Sequence, residues 1–71
     1  MMGIDPGSIC TGYGIVDESK GQLRAVHWGS IRNTPKQAFT HRLKRIYDGL
    51  VEVIEEYAPD AVAVEDMFFA V

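Results

Sequence analysis

The segment from Thr34 to Pro59 constrains the chain most, because its apolar residues fit one regular conformation. At 100° per residue, Phe39, Leu43, Ile46, Tyr47, Leu50, Ile54 and Tyr57 share an arc of about 100°. Lys44, Arg45, Asp48, Glu52, Glu55 and Glu56 lie opposite. Thr34 as N-cap, Pro35 in the first helical position and Gln37 three residues after the cap predict the start. Pro59 predicts an end near Tyr57 or Ala58. Gly49, in the interior, costs up to about 1 kcal/mol against Ala. Bases come early and Glu late, against the macrodipole, so packing rather than local electrostatics must hold this helix.

The flanking segments read as strands. Met1 to Asp5 is short and closed by Pro6-Gly7, a strong turn pair. Thr11 to Val16 alternates, with Thr11, Tyr13 and Ile15 on one face and Gly12, Gly14 and Val16 on the other. Those glycines weaken a strand unless something approaches its backbone closely. Asp17 to Gly21 is a polar turn, and Gln22 to Arg32 reads as a third strand. Connections this tight predict antiparallel neighbours. After Pro59, Ala61-Val62-Ala63-Val64 in the run Asp60 to Glu65 predicts a strand buried on both faces and, coming after a helix, parallel to the first. The expected fold is α/β, a mixed sheet of a three-strand antiparallel meander, a helix and a parallel fourth strand.

With 46% hydrophobic and 24% charged residues in 71, the chain is too apolar for disorder and amounts to one small domain at most. No apolar run approaches the ~18 residues of a membrane span, and the start lacks the pattern of a signal peptide. The expectation is a cytoplasmic protein with no membrane partner. The single cysteine, Cys10, forms no internal disulfide and has no neighbours at metal-ligand spacing. The net charge of −3 is segregated: all seven Lys and Arg fall within residues 20–45, which hold no acid. Acidity argues against a chain that grips nucleic acid by charge alone, whereas a separate basic segment can meet phosphate. Arg42, Lys44 and Arg45 fit either a solvated helix face or a phosphate contact.

Asp5 and Glu65 each end a short apolar strand. If those strands are parallel neighbours, both carboxylates lie at the carboxyl edge of one sheet, where open α/β sheets bind ligands. At ~5 Å and an effective dielectric near 20 they repel by roughly 3 kcal/mol, which a shared proton or a bridging cation relieves. Oxygen donors without a His or Cys cluster favour Mg²⁺ or Mn²⁺. Paired carboxylates of this kind serve two-metal phosphodiester hydrolysis, one ion activating water and the other steadying the leaving oxygen. Either acid alone is more simply an ordinary cap or strand end. Gly7 to Gly14 offers backbone amides and the Ser8 and Thr11 hydroxyls beside Asp5, without the spacing of a dinucleotide fingerprint or a Walker loop. Met67-Phe68-Phe69 reads as core or, beside a nucleic-acid cleft, as a stacking surface. Trp28 reads as packing, and His27 and His41 as incidental.

Gly3-Ile4-Asp5-Pro6-Gly7-Ser8 followed by Thr11-Gly12-Tyr13-Gly14 resembles the opening of RuvC-type Holliday-junction resolvases. The likeness continues in order through Arg42-Leu43-Lys44, Ile46-Tyr47, Pro59-Asp60 and Val64-Glu65. It implies a ribonuclease-H-like fold, of which residues 1–71 are the amino-terminal part, and a homodimeric, Mg²⁺-dependent endonuclease acting on four-way DNA junctions. It further implies that Asp5 and Glu65 are the first two catalytic metal ligands and that Phe68 inserts near junction bases. The family's remaining ligands lie on a later helix past Val71, so the chain alone is expected to bind metal weakly and cleave little. Branch-migration proteins are implied as partners. Cys10 stands near where relatives often carry a base. Two other groups share parts of the pattern: ribonuclease-H-like nucleases of pre-ribosomal RNA, and actin-like or sugar-kinase ATPases.

Overall fold

The computed structural model describes residues 1–65. Four strands, β1 (Met2–Asp5), β2 (Cys10–Ser19), β3 (Gln22–Arg32) and β4 (Val62–Val64), frame one helix, α1 (Phe39–Tyr57), which lies between β3 and β4 in the chain. They form a single sheet in the order β3-β2-β1-β4. β1 and β2 pair antiparallel, as do β2 and β3, and β4 returns parallel to β1. The meander, crossover helix and parallel fourth strand read from the sequence are all present.

Tight turns explain the meander. Lys20 and Gly21 both have positive φ, 54° and 77°, the conformation of a two-residue hairpin whose twist suits its strands. β2 therefore continues through Ser19, past the Val16 expected as its end, because so short a turn keeps Asp17 to Ser19 paired with Gln22 to Arg24. Val26 is an extra residue between the Ile15↔His27 and Val16↔Ala25 pairs, a bulge in β3.

Alternation directs one face of the sheet to the helix. Met2, Ile4, Ile15 and Val53 are buried, with Tyr13, Leu50 and Tyr57 packed against them. Tyr13 crosses β3 at Gly29, where a Cβ would lie 2.7 Å from the Tyr13 hydroxyl; only glycine leaves that space. His27, read as incidental, joins this layer. Its Nε2 hydrogen-bonds the Tyr13 hydroxyl at 3.2 Å, and its ring stacks on Tyr57 at 4.8 Å.

Four expectations need correction. The helix begins at Phe39, with Ala38 as N-cap and no side-chain cap. The Thr34–Gln37 pattern closes a separate turn instead: the Thr34 N–H donates to Gln37 Oε1 at 2.9 Å and the Gln37 N–H to the Thr34 carbonyl at 3.2 Å. The reciprocal bonds of a capping box are satisfied before any helix follows. The buried flank of α1 is rotated from the predicted arc, since Val53 is buried whereas Leu43, Tyr47 and Ile54 are exposed. Gly49 sits against Ile31 of β3, so the helix leans toward that side and leaves the opposite flank uncovered. For the same reason β4, expected to be buried on both faces, is exposed throughout, Val64 at 60%. Trp28 does not pack; it is 71% exposed on the sheet face away from α1.

The Met1 ammonium anchors the start of β4's approach, 3.2 Å from Asp60, and its hydrogen bond holds that carboxyl below the ordinary carboxylate range. No helix among the described residues is long and apolar enough to cross a membrane.

Helix α1 ends at Ala58, whose φ of 44° and ψ of 56° are left-handed, with its N–H on the Ile54 carbonyl at 2.8 Å. A residue with a Cβ holds that conformation at a cost of about 1–2 kcal/mol. Ala58→Gly is therefore expected to raise the free energy of unfolding by about 0.5–1 kcal/mol, net of the greater freedom of glycine in the unfolded chain. Urea denaturation checks this; an unchanged or lower midpoint contradicts it.

Candidate active site

The parallel pairing of β1 and β4 places the two acids. Met2↔Val62, Gly3↔Ala63 and Ile4↔Val64 are in register, and the Glu65 N–H donates to the Ile4 carbonyl at 2.9 Å. Asp5 and Glu65 are each one residue beyond the last pair, on strands that neighbour at about 4.8 Å. Ile4 turns inward to the core, so alternation sends Asp5 to the face opposite α1. Asp5 and Glu65 both line one open depression at this rim, with Gly3, Gly12 and Ala63 among its other walls.

Both acids are exposed. Water screens part of the repulsion between them. The floor beside them is low. A Cβ on Gly3 or Gly14 would meet nothing within 4 Å, and one on Gly12 only the Asp5 Cβ at 4.0 Å. The glycines that weaken β2 thus serve no packing need among the described residues and leave open backbone beside Asp5.

The turn after Asp5 is held from within by Thr11. This side chain is fully buried; its hydroxyl donates to the Gly7 carbonyl at 2.7 Å and accepts from the Gly7 N–H at 3.2 Å. Expected to offer its hydroxyl to nucleic acid, Thr11 has none of its surface available. A Cβ on Gly7 would lie 2.5 Å from the Cys10 carbonyl oxygen, so the turn closes only around glycine.

The other expected contacts divide. Arg42 is half-buried and bonds Ser8 Oγ at 3.0 Å, with its guanidinium 5.3 Å from the Phe39 ring centroid. Arg45 lies at the same end of the molecule, its Nη2 3.3 Å from the Arg32 carbonyl. Lys44 points away and pairs with Asp48 at 2.7 Å, an exposed i,i+4 pair worth about 0.3–0.5 kcal/mol. Phe68, like Met67 and Phe69, lies outside the described residues. Asn33, passed over in the sequence, is buried at the end of β3 and bonds both the Asp5 turn and α1. Its only signal was a polar residue between a strand and Thr34-Pro35, which does not reveal burial.

Two carboxylates on adjacent parallel strands suit a hard divalent ion as part of a ligand set. No group of three or more metal-binding side chains occurs among the described residues. Replacing Thr11 by Val keeps the shape and removes both bonds to Gly7. This variant is expected to lose about 1–3 kcal/mol of stability, read from its denaturation midpoint. A loss below a few tenths would show that the turn does not depend on Thr11.

The family model described as "Crossover junction endodeoxyribonuclease RuvC" matches residues 1–71. The proteins of that name from Geotalea uraniireducens and Geobacter sulfurreducens are each 50% identical over 70 residues, covering 99% of this chain but 41% and 43% of the relatives. A structure titled "T. thermophilus RuvC in complex with Holliday junction substrate" superposes with a TM-score of 0.86 at 32% identity, over 99% of this chain and 46% of that one. A second Thermus thermophilus RuvC structure gives 0.85 at 36% identity, over 97% of this chain and 45% of that one. The chain thus spans less than half the length of these relatives. With its ribonuclease-H-like sheet and its match along the whole sequence, the chain belongs to the RuvC family of crossover junction endodeoxyribonucleases.

Proposed function

We propose that this chain is the amino-terminal part of a structure-selective endonuclease that hydrolyses phosphodiester bonds at four-way DNA junctions, in recombination and repair. The observation that supports the proposal is that Asp5 and Glu65 line one depression at the rim of the sheet, in a chain of a family whose solved member was captured on a Holliday junction. The protein acts in the cytoplasm as a homodimer, because nicking two opposed strands requires two centres, and it works with branch-migration proteins.

Asp5 and Glu65 are the residues that would hold Mg²⁺, or Mn²⁺ in its place, together with ligands from outside this chain. When bound, the ion activates water for attack and offsets charge on the phosphate. The chain's own residues supply position and field. Thr11 and Gly7 fix the turn that follows Asp5. The exposed glycine backbone of β1 and β2 lets a sugar-phosphate strand come close to the carboxylates. β3 ends and α1 begins at this rim, which brings Arg32, Arg42 and Arg45 and the positive end of the helix dipole to it. Most acids of α1 lie toward its far end. This polarity attracts phosphate despite the net negative charge, with an affinity that falls as salt rises. Ser8 and Arg45 serve backbone contact, and Phe68 stacks on junction bases.

The test uses the full-length gene product and its Asp5→Asn variant. Single-turnover cleavage of a four-way junction in Mg²⁺ is expected to fall at least about a hundredfold, near 2.7 kcal/mol of transition-state stabilisation, with junction affinity unchanged. Undiminished cleavage would end the proposal. Structured RNA cut in preference to the junction would move the substrate to the ribosomal-RNA-processing relatives.

A further inference from the structure

The connection between Asp5 and β2 is four residues long, Pro6 to Ile9. A surface turn of this kind ordinarily leaves its carbonyls to water. Here three successive carbonyls are captured. The Gly7 carbonyl accepts from Thr11 Oγ1 at 2.7 Å, the Ser8 carbonyl from Asn33 Nδ2 at 3.2 Å, and the Ile9 carbonyl from the Asn33 N–H at 2.7 Å. One residue, Asn33, supplies two of the three.

Asn33 is itself immobilised. It is 9% exposed, and its second Nδ2 hydrogen goes to the Arg42 carbonyl at 3.3 Å. Its Oδ1 accepts from Arg45 Nε at 2.8 Å. Arg42 closes the frame from the helix, with Nη1 on Ser8 Oγ at 3.0 Å and Nε on the Gln37 carbonyl at 3.2 Å. The end of β3 and the first turns of α1 thus grip a turn that belongs to neither. A buried amide with every partner in place tolerates little displacement, because a shift leaves polar groups without partners in a dry setting.

We infer that Asn33, with Arg42 as its second arm, is a positioning residue for Asp5: it holds the Pro6–Ile9 turn from outside so that the Asp5 carboxylate stands at the geometry a divalent ion requires. The inference rests on the proposed role of Asp5 as a metal ligand. It also reassigns Arg42, whose guanidinium and carbonyl are engaged with Ser8, Gln37 and Asn33 before any DNA arrives.

The experiment compares wild type, Asn33→Ala, Arg42→Lys and, as a control of the core alone, Ile15→Val in the full-length gene product. Mn²⁺ affinity without DNA is read by electron paramagnetic resonance, junction affinity in metal-free buffer by mobility shift, and folding by denaturation midpoint. Asn33→Ala is expected to weaken Mn²⁺ binding three- to tenfold with junction affinity held within twofold. Arg42→Lys, which retains the charge but has one donor group in place of the guanidinium's Nε and Nη1, falls between it and wild type, and Ile15→Val leaves Mn²⁺ affinity unchanged. Unaltered Mn²⁺ affinity in a folded Asn33→Ala protein overturns the inference. So does a tenfold loss of junction affinity in Arg42→Lys with metal affinity intact, which would make Arg42 a DNA contact. If Asn33→Ala does not fold, Arg42→Lys and the further variant Arg42→Gln decide by the same readings. A wild-type protein that binds Mn²⁺ but cuts no junction refutes the nuclease proposal and leaves this inference standing.

Discussion

Parallel pairing between β1 and β4 is the contact on which the rest depends. The two strands are distant in sequence and short, and only three residue pairs bring them into register. Shifting that register by one residue would turn Glu65 to the other face, because side chains alternate along a strand. On β1 the inward residues Met2 and Ile4 are buried; Val62 and Val64 of β4 pair beside them on the same face but stay exposed. Backbone pairing in this register, with Met2 and Ile4 of β1 buried on the helix side, thereby places two polar side chains on the other. The crossover through α1 gives β4 its direction and brings its carboxyl end to the rim where β1 ends.

The same rim gathers the basic groups for a topological reason. β3 and β1 end there, β2 starts there, and α1 starts its return from there. The charge segregation along the sequence thus becomes a segregation in space. Arg32, Arg42 and Arg45 lie toward Asp5, and Glu52, Glu55 and Glu56 toward the far end of α1. Not all of that charge is free for a ligand. Arg42 and Arg45 each donate to groups of the fold, and Lys44 is paired on the solvent side of the helix.

Much of this was legible in the sequence, and what was not has identifiable causes. The strands, their order of pairing and the Asp5/Glu65 juxtaposition follow from turn residues, alternation and the handedness of a strand–helix–strand unit. The helix starts later than the pattern predicts because Thr34 and Gln37 satisfy each other locally, which a one-dimensional pattern cannot tell from a true cap. Leu43, Tyr47 and Ile54 belong to the predicted stripe yet are exposed, because an apolar stripe records every surface a helix meets and the described sheet covers only one flank. The same holds for β4 and Trp28. Asn33 and Thr11 escaped notice as turn-holding groups because their partners are backbone carbonyls and amides, which carry no letter in the sequence.

The most direct measurement follows the side-chain carboxyl carbons of Asp5 and Glu65 by ¹³C NMR as Mg²⁺ is added to the full-length gene product. Two carboxylates that share an ion at one rim shift together along a single saturation curve. A shift of one without the other, or two curves with unrelated midpoints, would mean that the acids do not act as a pair, and the proposed catalytic centre would fail.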